Sequence, residues 1–419
     1  MGMDISRPVY LQKLKDRMHN GMIKVVTGLR RCGKSYLLFE SFRNHLLDTG
    51  VPADHIIGIE LDMRRNEKYR DPDVLLQLLT EAIRGDDRYY ILLDEVQMLR
   101  DFESVLNELL HYRNVDVYVT GSNSKFLSTD VITEFRGRGD EVRIHPLAFS
   151  EYVPAFSGSR EEAWQEYFTY GGLPQVLSMR SDEQKGDYLK NLFEMTYMKD
   201  IRDRHKIRHE AELGELLDVL ASATGSLTNP KKLADTFGSK RNCDFSEGTI
   251  SRYCRYLEDA FILSKSRRYD IKGKEYINTP FKYYFEDVGL RNARLNFRQQ
   301  EENHIMENII YNELRYRGFA VDVGVVEIRE KQADGRSARK QLEIDFVANS
   351  GNRRYYLQSA FALDRPEKEE QEKRPFMHFS DSFKKIVLVR DGIKVRRDDT
   401  GVVTMGLLDF LLDPDSLDF

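Results

Sequence analysis

Cysteine is scarce in this sequence. The three cysteines, Cys32, Cys243 and Cys254, are an odd number at scattered positions. They neither build a disulfide framework nor show the paired spacing of zinc ligands. The scarcity of cysteine therefore excludes a disulfide-stapled fold and a zinc finger, and it favours a reducing compartment.

The sequence also lacks a long hydrophobic run and an excess of charge of one sign. No apolar stretch reaches the roughly 20 residues of a membrane-spanning helix, and no basic and apolar leader pattern is present. The 64 basic and 69 acidic side chains give a net charge of −5. No global positive field therefore attracts the protein to nucleic acid or anionic lipid. We expect a cytoplasmic protein that does not contact the membrane.

What the sequence does contain suffices for several packed domains. The 419 residues are 41% hydrophobic, with only 11 prolines and 27 glycines, which excludes wholesale disorder. At roughly 150 residues per domain the chain should hold about three domains. Alternating strands and helices predict an α/β core with a parallel sheet in residues 1–150. Helices with a winged helix are predicted in 151–300, and a further α/β domain in 301–419.

A glycine-rich loop directly follows the first predicted strand. Residues 28–35 read GLRRCGKS and fit the pattern G-x-x-x-x-G-K-[ST] between a strand and a helix. Backbone N–H groups of such a loop form an anion nest at the helix N-terminus. Lys34 is predicted to reach the β- and γ-phosphates of ATP, and Ser35 to ligate Mg²⁺. The predicted nucleotide-binding residues are Gly28, Arg31, Cys32, Gly33, Lys34, Ser35 and Tyr36.

Two carboxylates end a later apolar strand. The run YYILLDE places Asp94 and Glu95 at the strand tip. Asp94 is predicted to hold the Mg²⁺ shell, and Glu95 to polarise a water aimed at the γ-phosphorus. The sequence has no Asn-Lys-x-Asp pattern of the kind that reads guanine in GTPases. The pair therefore favours hydrolysis of ATP to ADP.

Two further positions are candidates for sensing or stabilising phosphate charge. The strand that ends at Thr120 is followed by Ser122 and Asn123, and we choose Asn123 as a residue that hydrogen-bonds the γ-phosphate or the attacking water. Arg138, in the run FRGRG, is the candidate arginine finger, acting within the chain or across a subunit boundary of a homo-oligomer. A plain turn and a structural or DNA-facing arginine are the alternatives.

Several runs together carry a family resemblance. IKVVTGLRRCGKSYLL, LLDEVQ, TGSNSKFLS, FRGRGDEVRIHPLAFSEY, YGGLP and FEDVGLRNA span nearly the whole chain. They resemble the AAA-type ATPases of bacteria and archaea that carry a C-terminal domain of unknown function with a nuclease-like fold. The resemblance implies an AAA-like core, a winged-helix region and a C-terminal restriction-endonuclease-like fold.

The sequence departs from an active nuclease of that fold. Such an enzyme needs an Asp on one strand, and a Glu or Gln followed two residues later by Lys on the next. The run Glu343-Ile344-Asp345 supplies the first position and Gln358 the second, and Glu307 adds a helix carboxylate. Ala360 stands where the lysine belongs. The domain is therefore predicted to be catalytically degenerate unless Lys368 or Arg365 replaces that lysine.

Residues 240–275 form a local basic patch with nine basic and six acidic side chains. The predicted recognition helix carries Thr249, Ser251, Arg252 and Arg255, and the predicted wing carries Lys265, Arg267, Arg268, Lys272 and Lys274. DNA is therefore a candidate partner, although winged helices in ATPases also serve as lids or protein contacts.

The leading hypothesis is a Mg²⁺-dependent ATPase that switches conformation on an unidentified partner. The first alternative is a DNA-binding protein or nuclease in which ATP gates the C-terminal domain. The second is an assembly platform that binds ATP without turnover.

Overall fold

The computed structural model describes residues 5–121, 137–207, 210–241, 245–298, 301–331 and 337–418, without the side chains of 239–241 and 331. The chain divides into two units, residues 1–146 and 147–419. Each is described by itself. None of the helices in these ranges combines the length and apolar character needed to cross a membrane.

The described part of the first unit is a five-stranded sheet with helices between the strands. The strands are β1 (Ile23–Gly28), β2 (Ile56–Glu60), β3 (Tyr89–Asp94), β4 (Val115–Thr120) and β5 (Gly139–Ile144). The helices are α1 (Pro8–Lys15), α2 (Lys34–Tyr36, continued by the π-helix Leu37–Phe42 and by Arg43–Asp48), α3 (Pro72–Ala82) and α4 (Phe102–Leu109). Short 3₁₀ helices span Ala53–His55, Arg64–Arg70 and Val96–Met98.

All neighbouring strands of this sheet are parallel, in the order β2–β3–β4–β1–β5. Every residue of β1 and β3 is buried, as expected for strands covered on both faces. The carboxyl ends of β1, β3 and β4 meet at one edge of the sheet, because parallel strands all point the same way. The predicted α/β core with a parallel sheet is confirmed.

The second unit begins with helices. These are α5 (Phe149–Tyr152), α6 (Arg160–Tyr170), α7 (Asp182–Leu192), α8 (Lys199–His205, preceded by the π-helix Phe193–Met198), α9 (Glu210–Ser222), α10 (Pro230–Arg241), α11 (Glu247–Asp259), α12 (Val288–Arg294), α13 (Glu302–Tyr316), α14 (Pro366–Lys373) and α15 (Leu407–Leu412). Short 3₁₀ helices span Val153–Ala155, Pro174–Ser178 and Arg374–His378. Helix α10, helix α11 and an antiparallel hairpin follow one another in the order predicted for a winged helix.

The described strands of the second unit belong to one nine-stranded sheet. They are β6 (Leu227–Thr228), β7 (Leu263–Asp270), β8 (Glu275–Phe285), β9 (Ala320–Lys331), β10 (Ser337–Ser350), β11 (Arg353–Ala360), β12 (Lys384–Val389), β13 (Arg396–Arg397) and β14 (Val403–Gly406). Their order is β13–β14–β12–β11–β10–β9–β7–β8–β6. Strand β7 of the hairpin pairs in parallel with β9. Strands from before and after position 300 therefore belong to one sheet, although the sequence predicts a domain boundary at that position.

Asp287 joins two of the runs that carry the family resemblance. Its carboxylate accepts hydrogen bonds from the Gly172 N–H at 2.8 Å and the Leu290 N–H at 2.9 Å. A Cβ at Gly171 would lie 2.3 Å from Asp287 Oδ1, and a Cβ at Gly289 would lie 1.9 Å from a backbone oxygen. The YGGLP and FEDVGLRNA runs thus pack against each other, and their glycines are required by that close approach.

Candidate functional site

The phosphate loop leaves β1 at Gly28 and enters α2 at Lys34. Gly28 has φ +136°, and a Cβ there would lie 2.1 Å from the carbonyl oxygen of Ile144 on the neighbouring β5. Gly33, the residue before the helix, has φ +101°. Both glycines therefore occupy backbone conformations that residues with a Cβ rarely adopt. The loop passes through the backbone path that an anion nest requires.

Lys34 is only 5% exposed, and its ammonium is held inside the loop. Its Nζ donates to the carbonyls of Gly28 at 3.1 Å and Leu29 at 3.0 Å. Carbonyl oxygens hold the ammonium without neutralising it, so its charge remains available to a phosphate. The structure thus places this cation within the phosphate loop.

Ser35 and Asp94 meet beside the loop. The Ser35 hydroxyl donates to Asp94 Oδ1 at 3.0 Å, although the two residues are 59 positions apart in the chain. A hydroxyl and a carboxylate are oxygen ligands of the kind that Mg²⁺ takes alongside nucleotide phosphates. No cluster of three or more His, Cys, Asp or Glu able to hold a metal occurs in the described ranges. The donor set therefore fits Mg²⁺ held by two side chains and phosphate better than a metal held by protein alone.

Thr120, the last residue of β4, orders the acid pair. Its hydroxyl donates to Asp94 Oδ1 and accepts the backbone N–H of Glu95 at 3.1 Å. Glu95 itself has φ +50°, so the chain turns sharply directly after Asp94. One hydroxyl thus fixes both the Asp94 carboxylate and the turn that carries Glu95. Sequence reasoning missed Thr120; a polar residue at the end of an apolar strand is the signal that identifies it.

The Asp94 carboxyl is buried, and burial raises its pKa above the usual value. The hydrogen bonds from Thr120 and Ser35 lower the pKa and offset part of this effect. The nearby charges of Glu95 and Asp62 raise it further. A cation at this edge would stabilise the ionised form of Asp94.

Glu95 is half-buried, and its carboxylate accepts a hydrogen bond from the side-chain amide of Gln97. Gln97 follows in the same run, DEVQ, and is a second residue that sequence reasoning missed. Because the amide donates to one carboxylate oxygen, it orients the group predicted to polarise water. The structure therefore brings Lys34, Ser35, Asp94 and Glu95 to one edge of the sheet.

The other predicted nucleotide-binding residues differ in their surroundings. Cys32 is fully buried, and its Sγ lies 3.6 Å from the Ile144 carbonyl oxygen in hydrogen-bond geometry, so its side chain packs against β5. Arg31 has φ +68° and is exposed. Tyr36 is 37% exposed.

Only one of the two predicted residues for phosphate sensing lies in the part of the chain that the structure describes. Asn123 lies outside the described residues. Arg138 is exposed, and its carbonyl accepts the N–H of Ile23 at 2.9 Å, at the amino end of β1. The phosphate loop begins at the opposite end of that strand, about 17 Å away for the five steps of ~3.3 Å from Ile23 to Gly28. Arg138 therefore lies at the edge of the sheet opposite the phosphate loop of its own chain.

A second group of carboxylates surrounds a buried lysine in the second unit. Lys282 Nζ lies 2.8 Å from both Glu307 Oε1 and Glu343 Oε1, and 3.9 Å from Asp345 Oδ1. The Tyr284 hydroxyl also donates to Glu307 at 2.6 Å. Burial lowers the pKa of Lys282, but the three carboxylates outweigh it, and the net pKa lies above the usual value. Sequence reasoning found the acids but missed Lys282, which lies on β8, outside the motif.

This cluster changes how the nuclease-like motif is interpreted. Ala360 is buried and is the last residue of β11. Arg365 points elsewhere, with an exposed guanidinium 3.7 Å from Asp364. The cation among the acids is instead Lys282, from a strand that precedes the motif in sequence.

The basic hairpin differs from the prediction in one residue. Arg267 is exposed, with its guanidinium 4.1 Å from the centre of the Tyr276 ring. Arg268, predicted on the wing surface, is only 7% exposed and donates to Gln341 Oε1 at 2.8 Å. The prediction for Arg268 was wrong because side chains alternate along β7: Lys265 and Arg267 are exposed, whereas Ser266 and Arg268 are buried.

Comparison with known proteins gives a family match for the core of the first unit. The AAA domain family matches residues 20–153, and a domain of unknown function, DUF8612, matches residues 161–301. An uncharacterized protein of Methanocaldococcus jannaschii is 26% identical over 365 residues, which is 83% of this chain and 77% of that protein. The solved structure of Aeropyrum pernix ORC1 in complex with DNA is 12% identical and covers 70% of this chain and 93% of its own, with a TM-score of 0.30.

A Haemophilus influenzae protein gives a match over nearly the full length. This uncharacterized protein is 33% identical over 414 residues, covering 97% of this chain and 98% of the relative. With the parallel sheet and the phosphate loop described above, the chain belongs to the same family as this relative and carries an AAA domain in its N-terminal part.

Proposed function

We propose that the protein is a Mg²⁺-dependent ATPase that acts as a conformational switch on a partner. The observation that carries this proposal is the convergence of Lys34, Ser35, Asp94 and Glu95 at one sheet edge, joined by Thr120. A positive charge, two oxygen ligands and an oriented carboxylate are what hydrolysis of a phosphoanhydride requires.

Each residue has a distinct role in this proposal. Lys34 binds the β- and γ-phosphates, and the loop amides bind the remaining charge. Ser35 and Asp94 hold Mg²⁺, which when bound offsets the negative charge that develops during transfer. Glu95 accepts a proton from the attacking water, and Gln97 keeps its carboxylate oriented. Asn123 remains the proposed contact to the γ-phosphate.

Arg138 is proposed to act across a subunit boundary. Its position at the amino end of β1 supports action on a neighbour's nucleotide, because β1 separates it from its own phosphate loop. A guanidinium supplied from a second chain stabilises charge on the transferring phosphate. This proposal implies that the active form is a homo-oligomer.

Phosphate release by the Glu95→Gln variant tests the proposed chemistry. The variant keeps the shape of the side chain but loses the base, so we expect ATP binding at wild-type affinity and a loss of turnover of ~100-fold or more. Glu67→Gln, the same substitution at an exposed position of the first unit, serves as the control and should retain turnover. A wild-type protein that binds ATP without releasing phosphate would instead support the assembly platform.

DNA is a second candidate partner of the second unit. The exposed side chains of Arg252 and Arg255 on α11 and of Lys265 and Arg267 on β7 support this candidate. Binding of duplex DNA that weakens with salt and is lost in a Lys265→Ala/Arg267→Ala double variant is the expected result. Unchanged DNA binding by that variant would rule out this surface as the DNA-binding site. No DNA binding by the wild type at low salt would rule out DNA as a partner.

For residues 301–419 we propose a restriction-endonuclease-like fold that does not cut DNA. The ammonium of Lys282 lies among the acids that would otherwise hold a metal ion. Incubation of plasmid DNA with the protein and Mg²⁺ or Mn²⁺ should leave the plasmid intact. Cleavage that disappears in Asp345→Asn would contradict this proposal.

A further inference from the structure

We propose that Arg7 positions the phosphate loop and links it to the segment where the chain leaves the first unit. This inference rests on the proposed function, because it concerns the response of the loop to ATP. Arg7 precedes α1 and lies far from the loop in sequence, and neither the phosphate-loop motif nor the acid pair includes it.

The contacts of Arg7 join two parts of the first unit. Its side chain is buried, with 4% of the residue exposed. Nη1 donates to the carbonyl of Cys32 at 2.8 Å, inside the phosphate loop. Nη2 donates to the carbonyls of His145 at 2.9 Å and Pro146 at 3.3 Å. One rigid, planar guanidinium therefore spans from the loop to the last residues of the unit.

The bond to Cys32 bears directly on the anion nest. The Cys32 carbonyl and the Gly33 N–H belong to the same peptide group, which is planar and trans, so they point in opposite directions. By holding the carbonyl on one side, Arg7 fixes the Gly33 N–H on the other. A Cβ at Gly33 would lie 3.8 Å from Arg7 Nη1, so the guanidinium lies directly beside this peptide.

Tyr10 supports the other end of the link. The Arg7 guanidinium lies 4.5 Å from the centre of the Tyr10 ring. The hydroxyl of the same Tyr10 accepts the backbone N–H of His145 at 3.0 Å. Arg7 and His145 are thus held by one side chain, so a rotation of the Cys32–Gly33 peptide on nucleotide binding acts on residues 145–146 through Arg7.

The phosphate loop also contacts β5 without Arg7. Gly28 packs against the Ile144 carbonyl, and the Cys32 thiol lies near the same oxygen. These contacts set the distance between loop and strand, but a packing contact and a weak thiol interaction do not fix the direction of a peptide group. The charge-assisted bonds of Arg7 are the ones that do so.

Hydrogen exchange and ATP affinity in wild type and Arg7→Lys test the proposal. In wild type, Mg²⁺ and ATP should slow exchange of the His145 amide. Arg7→Lys keeps the positive charge but loses the planar guanidinium that donates from two nitrogens at once. The Kd for ATP should therefore rise about tenfold or more, as for loss of a hydrogen bond from a charged group. The ATP-dependent change at His145 should disappear. Arg17→Lys, which alters a partly exposed arginine paired with Asp140, is the matched control and should match wild type.

The possible outcomes separate this proposal from the proposed function. A wild-type protein that binds no ATP contradicts the proposed function. A wild type that binds ATP with no change in exchange of the His145 amide overturns the role of Arg7 alone, even if Arg7→Lys does not fold. An Arg7→Lys variant with wild-type affinity and wild-type exchange overturns it as well.

Discussion

Single hydroxyl and amide groups decide the geometry of the acid pair. Asp94 and Glu95 are adjacent in the sequence, yet their orientation depends on Thr120 from β4 and on Gln97. Neither residue carries the charge or metal-binding chemistry for which sequence patterns are searched. Thr120 and Gln97 act by holding the two carboxylates in place, and substitution of each residue tests this effect.

Thr120→Val should impair turnover and shift its pH dependence. Valine keeps the shape but removes the donor to Asp94, so the pKa of the Asp94 carboxyl, already raised, should rise further. Loss of a hydrogen bond to a charged group costs ~1.5–3 kcal/mol, so we expect phosphate release to fall roughly 10- to 100-fold. Asp94 must be ionised to hold Mg²⁺, so the acid limb of the pH–rate profile should move to higher pH.

Thr120→Ser is the matched control, because it keeps the hydroxyl. The Thr120→Ser variant should keep the wild-type rate of phosphate release and the wild-type pH profile. A Val variant with lower activity but an unshifted acid limb would show that Thr120 does not act on the titration of Asp94.

Asp287 should make stability depend on pH between about 4 and 7. Burial raises the pKa of its carboxyl to about 6, although backbone N–H groups of Gly172, Leu290 and Gly289 act to lower it. Because the folded state prefers the protonated form, the stabilisation is complete below the unfolded pKa. It is lost as pH rises through about 6.

The comparison of wild type with Asp287→Asn measures this effect. The free energy of unfolding of wild type, relative to Asp287→Asn, should fall by about 3 kcal/mol as pH rises from ~4 to ~7. Urea denaturation across that range is the measurement, and Asp187→Asn, at an exposed position of the same unit, should show no such trend. A pH-independent difference would rule out the shift at Asp287.

At the scale of elements, the junction of β1 and β5 determines the path of the phosphate loop. The strands pair from Ile23 with Gly139 to Gly28 with Ile144. Strands β1 to β4 were predictable because each consists mainly of β-branched, aromatic and other apolar residues. Strand β5 was not, because its sequence GDEVRI is mostly polar, and as an edge strand it buries only Val142 and Ile144.

Gly28→Ala should abolish ATP binding and destabilise the first unit. The new methyl would lie 2.1 Å from the Ile144 carbonyl oxygen, so β1 and β5 would have to separate. Overpacking of this kind costs ~1–3 kcal/mol, in addition to about 1 kcal/mol for a non-glycine residue at positive φ. Gly21→Ala is the matched control, because Gly21 has φ +73° with nothing within 4 Å.

Thermal unfolding and ATP titration of the two variants check this prediction. Gly21→Ala should lose little stability and keep its affinity. Equal effects of the two substitutions would show that backbone conformation matters at Gly28 and contact with β5 does not.

The nine-stranded sheet of the second unit contains strand pairings that the sequence does not predict. The order of two helices and a hairpin was readable from cap residues and alternation. The pairing of β7 with β9 was not, because it joins segments more than 50 residues apart, and no local pattern records such a pairing. For the same reason the sequence located Glu307, Glu343 and Asp345 but not Lys282, which reaches them from β8.

At the scale of the whole molecule, the position of Arg138 predicts complementation between subunits. Oligomers of Arg138→Ala alone and of Glu95→Gln alone should both be inactive. In a mixture, an Arg138→Ala subunit with an intact Glu95 receives Arg138 from a Glu95→Gln neighbour, so part of the phosphate release should return.

Arg64→Ala, which alters an exposed arginine of the same unit, is the control and should be active by itself. A mixture that stays inactive, although mass measurement shows mixed oligomers, would contradict the role of Arg138 across the boundary.

Calorimetric titration of the purified protein with ATP and Mg²⁺ tests the central claim most directly. We expect saturable heat with one ATP per chain, and its loss in Lys34→Met, which removes the charge held inside the phosphate loop. Lys232→Met, an exposed lysine of the second unit, should titrate like wild type. Absence of heat in the wild type, or an undiminished signal in Lys34→Met, would contradict the account.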